Sequence, residues 1–286
     1  MKIFISVVLV LVLVLSLALG VDESALAVQD AAFERAMIAF GLAKGLNAVI
    51  SLIQGTELSF TPVGVGLNFS VGEVLDPFND MVERFSWVML LATVSLGIQK
   101  IILILSSKIF IQVALVLSVG LSLVFMWVKE IKNTLFLSYS LKFFLLVLLL
   151  RFSAVVFVFV SHEFYTSTLQ TQYIQASSAI ENTKVELEAL ESKNKTLVQA
   201  QKQEGFFSGV SSKYNKVIES LNISRQLDSL QISIDNASRN IITLITIFIV
   251  QSVVMPLLYL WLLVVSVKLI FRNEFTFYQL NRGYNY

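Results

Sequence analysis

Arg151 is the residue best placed to do chemistry in this chain, a guanidinium inside an unbroken apolar run. On a helix starting near Phe143 it lies about 12 Å along the axis, near the middle of a bilayer. A fixed cation at that depth lines a water-filled anion path, bonds backbone carbonyls, or snorkels toward the headgroups. Lys142 lies nine residues earlier on the opposite helix face, so the two form no shared cationic site. The segments expected to span the membrane hold no Asp or Glu. That leaves carbonyls or Gln251 as partners for Arg151 and argues against a carboxylate-based proton or sodium relay.

Other reactive equipment is sparse. Cysteine is absent, which excludes disulfides, thiolate metal sites and thiol nucleophiles. The single histidine, His162, is followed by Glu163 but by no second metal ligand. No phosphate-binding loop, dinucleotide fingerprint or serine elbow occurs. The chain is therefore expected not to be an enzyme and to carry no cofactor or metal. Asp76, Asp80 and Glu83 share a helix face just after Glu73, an oxygen set that suits Ca²⁺ or Mg²⁺. No loop with the ligand spacing accompanies them. Asp76 followed by Pro77 reads better as a capped helix start with acids against the dipole.

Two segments suggest protein partners. Val63, Val65, Leu67, Phe69 and Val71 alternate with small or polar residues, the pattern of a strand over 62–72 buried on one face. No second strand of comparable quality exists, so this one folds on itself, lies extended, or pairs with the same strand of a neighbour. Phe206 and Phe207, at the tip of a helical hairpin, dock an outer protein or fold back over the hairpin end.

The elements that position these residues are mostly membrane helices. Hydrophobic residues make up 56% of the chain, charged residues 14%, and mean hydropathy is +0.77. A soluble domain needs more charge, so the class is integral membrane protein. A net charge of +1 argues against nucleic acid as a partner. Lys2, the apolar run 3–19 and the small residues Ala25 and Ala27 read as a signal peptide, 1–27, with an uncleaved anchor helix as the alternative. Both send the following residues outward, and 22–84 carries nine acids against three bases.

Three later stretches, 109–128, a segment within 135–161, and 241–267, are long enough to cross about 30 Å of hydrocarbon. Lys129, Lys132 and Lys142, and then Lys268, Arg272 and Arg282, mark cytoplasmic ends. Segment 85–105 is softened by Ser86, Thr93 and Ser95 and interrupted at Gln99 and Lys100. It reads as part of an interfacial helix 77–105 on the outer face. A full span turning at Ser106, Ser107 and Lys108 is the alternative. Ala114, Ser118 and Ser122 recur every four residues as a narrow packing face. Pro256, just after Gln251 and Ser252, predicts a kink.

Upstream, Phe33, Met37 and Phe40, then Leu42, Leu46, Val49 and Ile53, repeat at helical spacing. The polar segment 162–240 is also in helical code. Ile223, Leu227, Leu230, Ile234, Ala237 and Ile241 form one seam; Ile180, Leu187, Leu190 and Leu197, with Asn194 inward, form another. The expected fold is thus an all-α integral membrane protein with three transmembrane helices, or four or five in the alternative readings. It carries an extramembrane antiparallel coiled-coil hairpin (162–240) and a small outer N-terminal region (28–108) containing one strand. Two spans occupy 109–161, a third 241–267, and 268–286 is a cytoplasmic tail. The expected function is a self-associating scaffold in a cell membrane, a bacterial inner membrane by this reading, presenting a periplasmic hairpin to an outer protein. The alternative is a homo-oligomeric channel or transporter subunit using Arg151.

Overall fold

Apolar residues at steps of three and four organise nearly every described segment into helix. The computed structural model describes residues 2–18, 20–55, 71–127, 134–203 and 212–272, excepting the side chains of Leu190, of 193–230 and of a few helix-end residues. The helices are α1 (Lys2–Ala18), α2 (Val21–Gly55), α3 (Val71–Ser107), α4 (Ile109–Trp127), α5 (Thr134–Phe164), α6 (Gln170–Gln203), α7 (Ser212–Ile249) and α8 (Met255–Arg272). A π turn at Tyr165–Leu169 joins α5 to α6, and another at Val250–Val254 joins α7 to α8.

Among the described residues there is no strand. Val71 and Gly72 open α3 instead of closing a strand over 62–72, while Val63, Val65, Leu67 and Phe69 lie outside the described residues. The physical reason is local: a helix pairs its own backbone groups, whereas a lone strand leaves a row of them unpaired. Pro77 consequently falls inside α3 instead of at its start.

By length and composition five helical stretches are able to cross a membrane: Val21–Gln54, Leu75–Ser107, Ile109–Trp127, Phe136–Ala189 and Gln231–Arg272; the apolar stretch Ile3–Val14 of α1 is shorter. The chain is a multi-pass membrane protein in character. Gln99 and Lys100 do not interrupt α3, which runs on to Ser107. The charge is accommodated by an ion pair between Lys100 Nζ and Asp30, 2.6 Å apart. Only Lys108 separates α3 from α4, and it is a bend, not the tight turn of the alternative reading. Leu103 clusters with Ala154 and Val158 of α5, Leu115 with Phe144 and Val147, and Ser122 meets Ser140, so the end of α3 and α4 run the same way along α5.

The helices contribute to two compact units. The first comprises 1–33, 95–165 and 251–286. One of its cores joins Leu9 of α1 to Leu115 and Val119 of α4 and to Phe144 and Val147 of α5. A second joins Ala25 of α2, Leu103 of α3, and Ala154, Val155 and Val158 of α5. Helix directions follow from paired contacts. Phe125 stacks on Phe136 and Ser122 Oγ meets Ser140 Oγ at 2.8 Å, so α4 and α5 are antiparallel. Ser153 meets Tyr259 while Lys142 Nζ donates to the Phe271 carbonyl, so α8 also opposes α5. Trp127 Nε1 donates to Ser6 Oγ, placing the start of α1 beside the end of α4. The small face of α4 is a packing face: Ser118 and Ser122 are buried and Ala114 packs on the first core.

The second unit comprises 34–94 and 166–250. Each of its four helical segments buries a row at alternating steps of three and four, the spacing of left-handed helix packing. On α2 the row is Ala36, Ala39, Ala43, Leu46, Ile50 and Ile53; on α3 it is Leu75, Phe78, Val82, Phe85, Met89 and Ala92. On α6 it is Tyr173, Ala176, Ile180, Thr183 and Leu187; on α7 it is Ile234, Ala237, Ile241, Leu244 and Phe248. Glu186 accepts from Ser233 Oγ at 2.8 Å and the rings of Tyr173 and Phe248 meet edge-on. Ascending positions on α6 therefore meet descending ones on α7, and the pair is antiparallel. The far parts of both hairpin seams (Leu190, Asn194, Leu197, Ile223, Leu227 and Leu230) lie outside the described side chains.

Candidate functional site

Arg151 sits on α5 with its side chain only 3% exposed. It does not face an open path. Its Nη1 donates to Asp22 Oδ1 at 2.7 Å and its Nη2 to Asp22 Oδ2 at 2.5 Å, a two-point fork with both carboxylate oxygens engaged. This corrects the expectation that no carboxylate reaches Arg151. That expectation considered only acids within the later spans, whereas Asp22 lies in the first turn of α2. Gln251, the other anticipated partner, is buried, and its Oε1 has no hydrogen bond among the described residues.

Local sequence explains why the fork forms. Asp22 follows an apolar helix and opens α2, where a carboxylate also suits the positive helix end. Ala25, one turn on, is fully buried in the core that includes Ala154 and Val155, the residues just past Arg151. The same two helix faces thus supply both the apolar contact and the ions. Arg151 Nε is buried with no hydrogen bond among the described residues. The planar guanidinium also lies 5.6 Å from the Phe152 ring centroid. Arginine suits this role better than lysine, because its rigid fork matches a carboxylate at two points.

Neighbouring polar contacts are also structural. Gln29, nearly fully buried, donates from Nε2 to the Leu96 carbonyl at 3.0 Å. Ser95 Oγ donates to the Ser252 carbonyl at 2.6 Å. Pro256 has no N–H for that carbonyl four residues earlier, so a side-chain donor compensates where the proline breaks the ladder. The predicted disturbance at Pro256 takes the form of the π turn just before it.

The remaining candidates do not converge on Arg151. Asp76 is not a cap but accepts from Gln54 Nε2 at 2.7 Å. Among the described residues no three His, Asp or Glu gather as a metal site. Phe206 and Phe207 lie outside the described residues. No family model matches the chain, and no curated protein or solved structure is found to be similar to it.

Proposed function

We propose that the protein is a self-associating membrane scaffold, with α1, α4, α5 and α8 crossing the bilayer and the α6–α7 hairpin held on the outer side. The observation that carries this reading is the set of matched buried rows on α2, α3, α6 and α7. They stiffen a long polar hairpin, and among the described residues no three His, Asp or Glu gather as a metal site. The charge of Arg151 is met by Asp22, which weighs against an anion path and so against the channel alternative. Orientation rests on the bases Lys129, Lys132, Lys268 and Arg272, which flank the ends of α4, α5 and α8 and favour the cytoplasm. The exposed side of α3 from Trp87 to Leu105 is apolar, and in this reading it lies against the outer leaflet. An outer protein docking at Phe206 and Phe207 belongs to the same proposal.

Chemical cross-linking in native membranes tests it. A ladder of multimers is expected, and purified protein in vesicles should pass no more chloride than protein-free vesicles. A monomer alone in membranes would sink the scaffold, and a chloride flux abolished by Arg151→Leu would establish the channel instead.

A further inference from the structure

We propose that the segment before Val28 stays in the mature protein as its first membrane helix, locked there by the Asp22–Arg151 ion pair. The small residues Ala25 and Ala27, which suggest a peptidase site, stand inside helix α2. Ala25 is fully buried against Leu103, Ala154, Val155 and Val158. A protease needs locally unfolded chain, and here the stretch is held in helix with Ala25 buried, although Glu23, Ser24 and Ala27 are exposed.

Removal of 1–27 would damage three things at once. It would take away Asp22 and leave the Arg151 guanidinium sealed without a counter-ion. It would take away Leu9 and open a hole between Leu115, Val119, Phe144 and Val147. It would also strip the Ser6 acceptor from Trp127. Asp22 is thus a positioning residue, seating the α1–α2 junction on α5. The inference does not rest on the scaffold reading, since a channel would need the same lock.

Intact mass spectrometry of the full-length protein, purified from membranes by a C-terminal tag, tests retention directly. The expected species retains residues 2–27 ahead of Val28. A mature chain beginning at Val28 overturns the proposal. The lock is read separately from thermal unfolding in detergent. Asp22→Asn is expected to lower the midpoint by roughly 10 °C, because it strands a buried cation. Combining Asp22→Leu with Arg151→Leu removes both charges and should recover most of that loss. If Asp22→Asn fails to accumulate, the double variant decides. A double variant no better than the single, or an unshifted Asp22→Asn, overturns the lock.

Discussion

A guanidinium inside apolar surroundings is tolerable only when its donors are met, and two of the five donors of Arg151 go to one carboxylate. Desolvation of such a pair offsets much of its attraction, so its net contribution is small while the cost of breaking it is about 3–5 kcal/mol. The contact between Ser95 and Ser252 follows the same logic on a smaller scale. Ser95→Ala should cost about 1 kcal/mol, measured by unfolding in detergent. With Pro256→Ala also present, the new backbone N–H can serve the Ser252 carbonyl, so the combined loss should be smaller than the sum of the single effects. Additive losses would show that Ser95 does not serve the carbonyl that the proline neglects. The pairing of Arg151 was hidden in sequence for a specific reason. Asp22 stands 129 residues away, in a segment that composition alone assigns to a leader.

Along each helix, the direction of the side chains decides what a substitution costs. Ile241 is fully buried and its neighbour Ile242 is 55% exposed. Ile241→Ala should lower stability by about 3 kcal/mol and Ile242→Ala by less than about 1, as measured by thermal unfolding. Equal effects would mean that the α7 row does not face a core. On α3 every exposed residue from Trp87 to Leu105 is apolar, whereas Ser86, Thr93 and Ser106 are buried. Polar inside and apolar outside is the pattern of a surface that meets lipid. Because the native chain has no cysteine, Ile98→Cys should resist a water-soluble maleimide, while Glu83→Cys, beyond the apolar stripe, should react. A reactive Ile98→Cys would place that face in water. The helices α4, α5 and α8 were legible because long apolar runs admit few other structures. The rows on α2 and α3 were harder to see. Their buried positions are interleaved with exposed apolar ones such as Met37, Leu52, Trp87 and Leu91, so hydrophobicity alone does not mark the inner face. The alternation over 62–72 follows the period of a strand equally well, and helix competes successfully at Val71.

For the molecule as a whole, the number of crossings fixes which compartment each end occupies. In the proposed arrangement, crossings by α1, α4, α5 and α8 make an even count, which would put positions 1 and 286 on one side, the cytoplasm if the bases near α8 follow the usual bias. Loss of α1 would leave the later helices in the same orientation but move residue 28 to the free outer end, so charge bias alone does not distinguish the two forms. In that proposed arrangement either form would put position 208 outside. Counting α3 as a further complete crossing would need a reversal at Lys108, where the chain only bends, and would put Lys129 and Lys132 on the outer side. Cysteine labelling separates these arrangements without a folding assay. Ser208→Cys should react with an impermeant maleimide in intact cells, and Tyr286→Cys only after lysis. A thiol at position 208 that waits for lysis would invert the proposed arrangement. The hairpin would then face the cytoplasm, where an outer protein has no access to it, and the scaffold reading would fail with the topology.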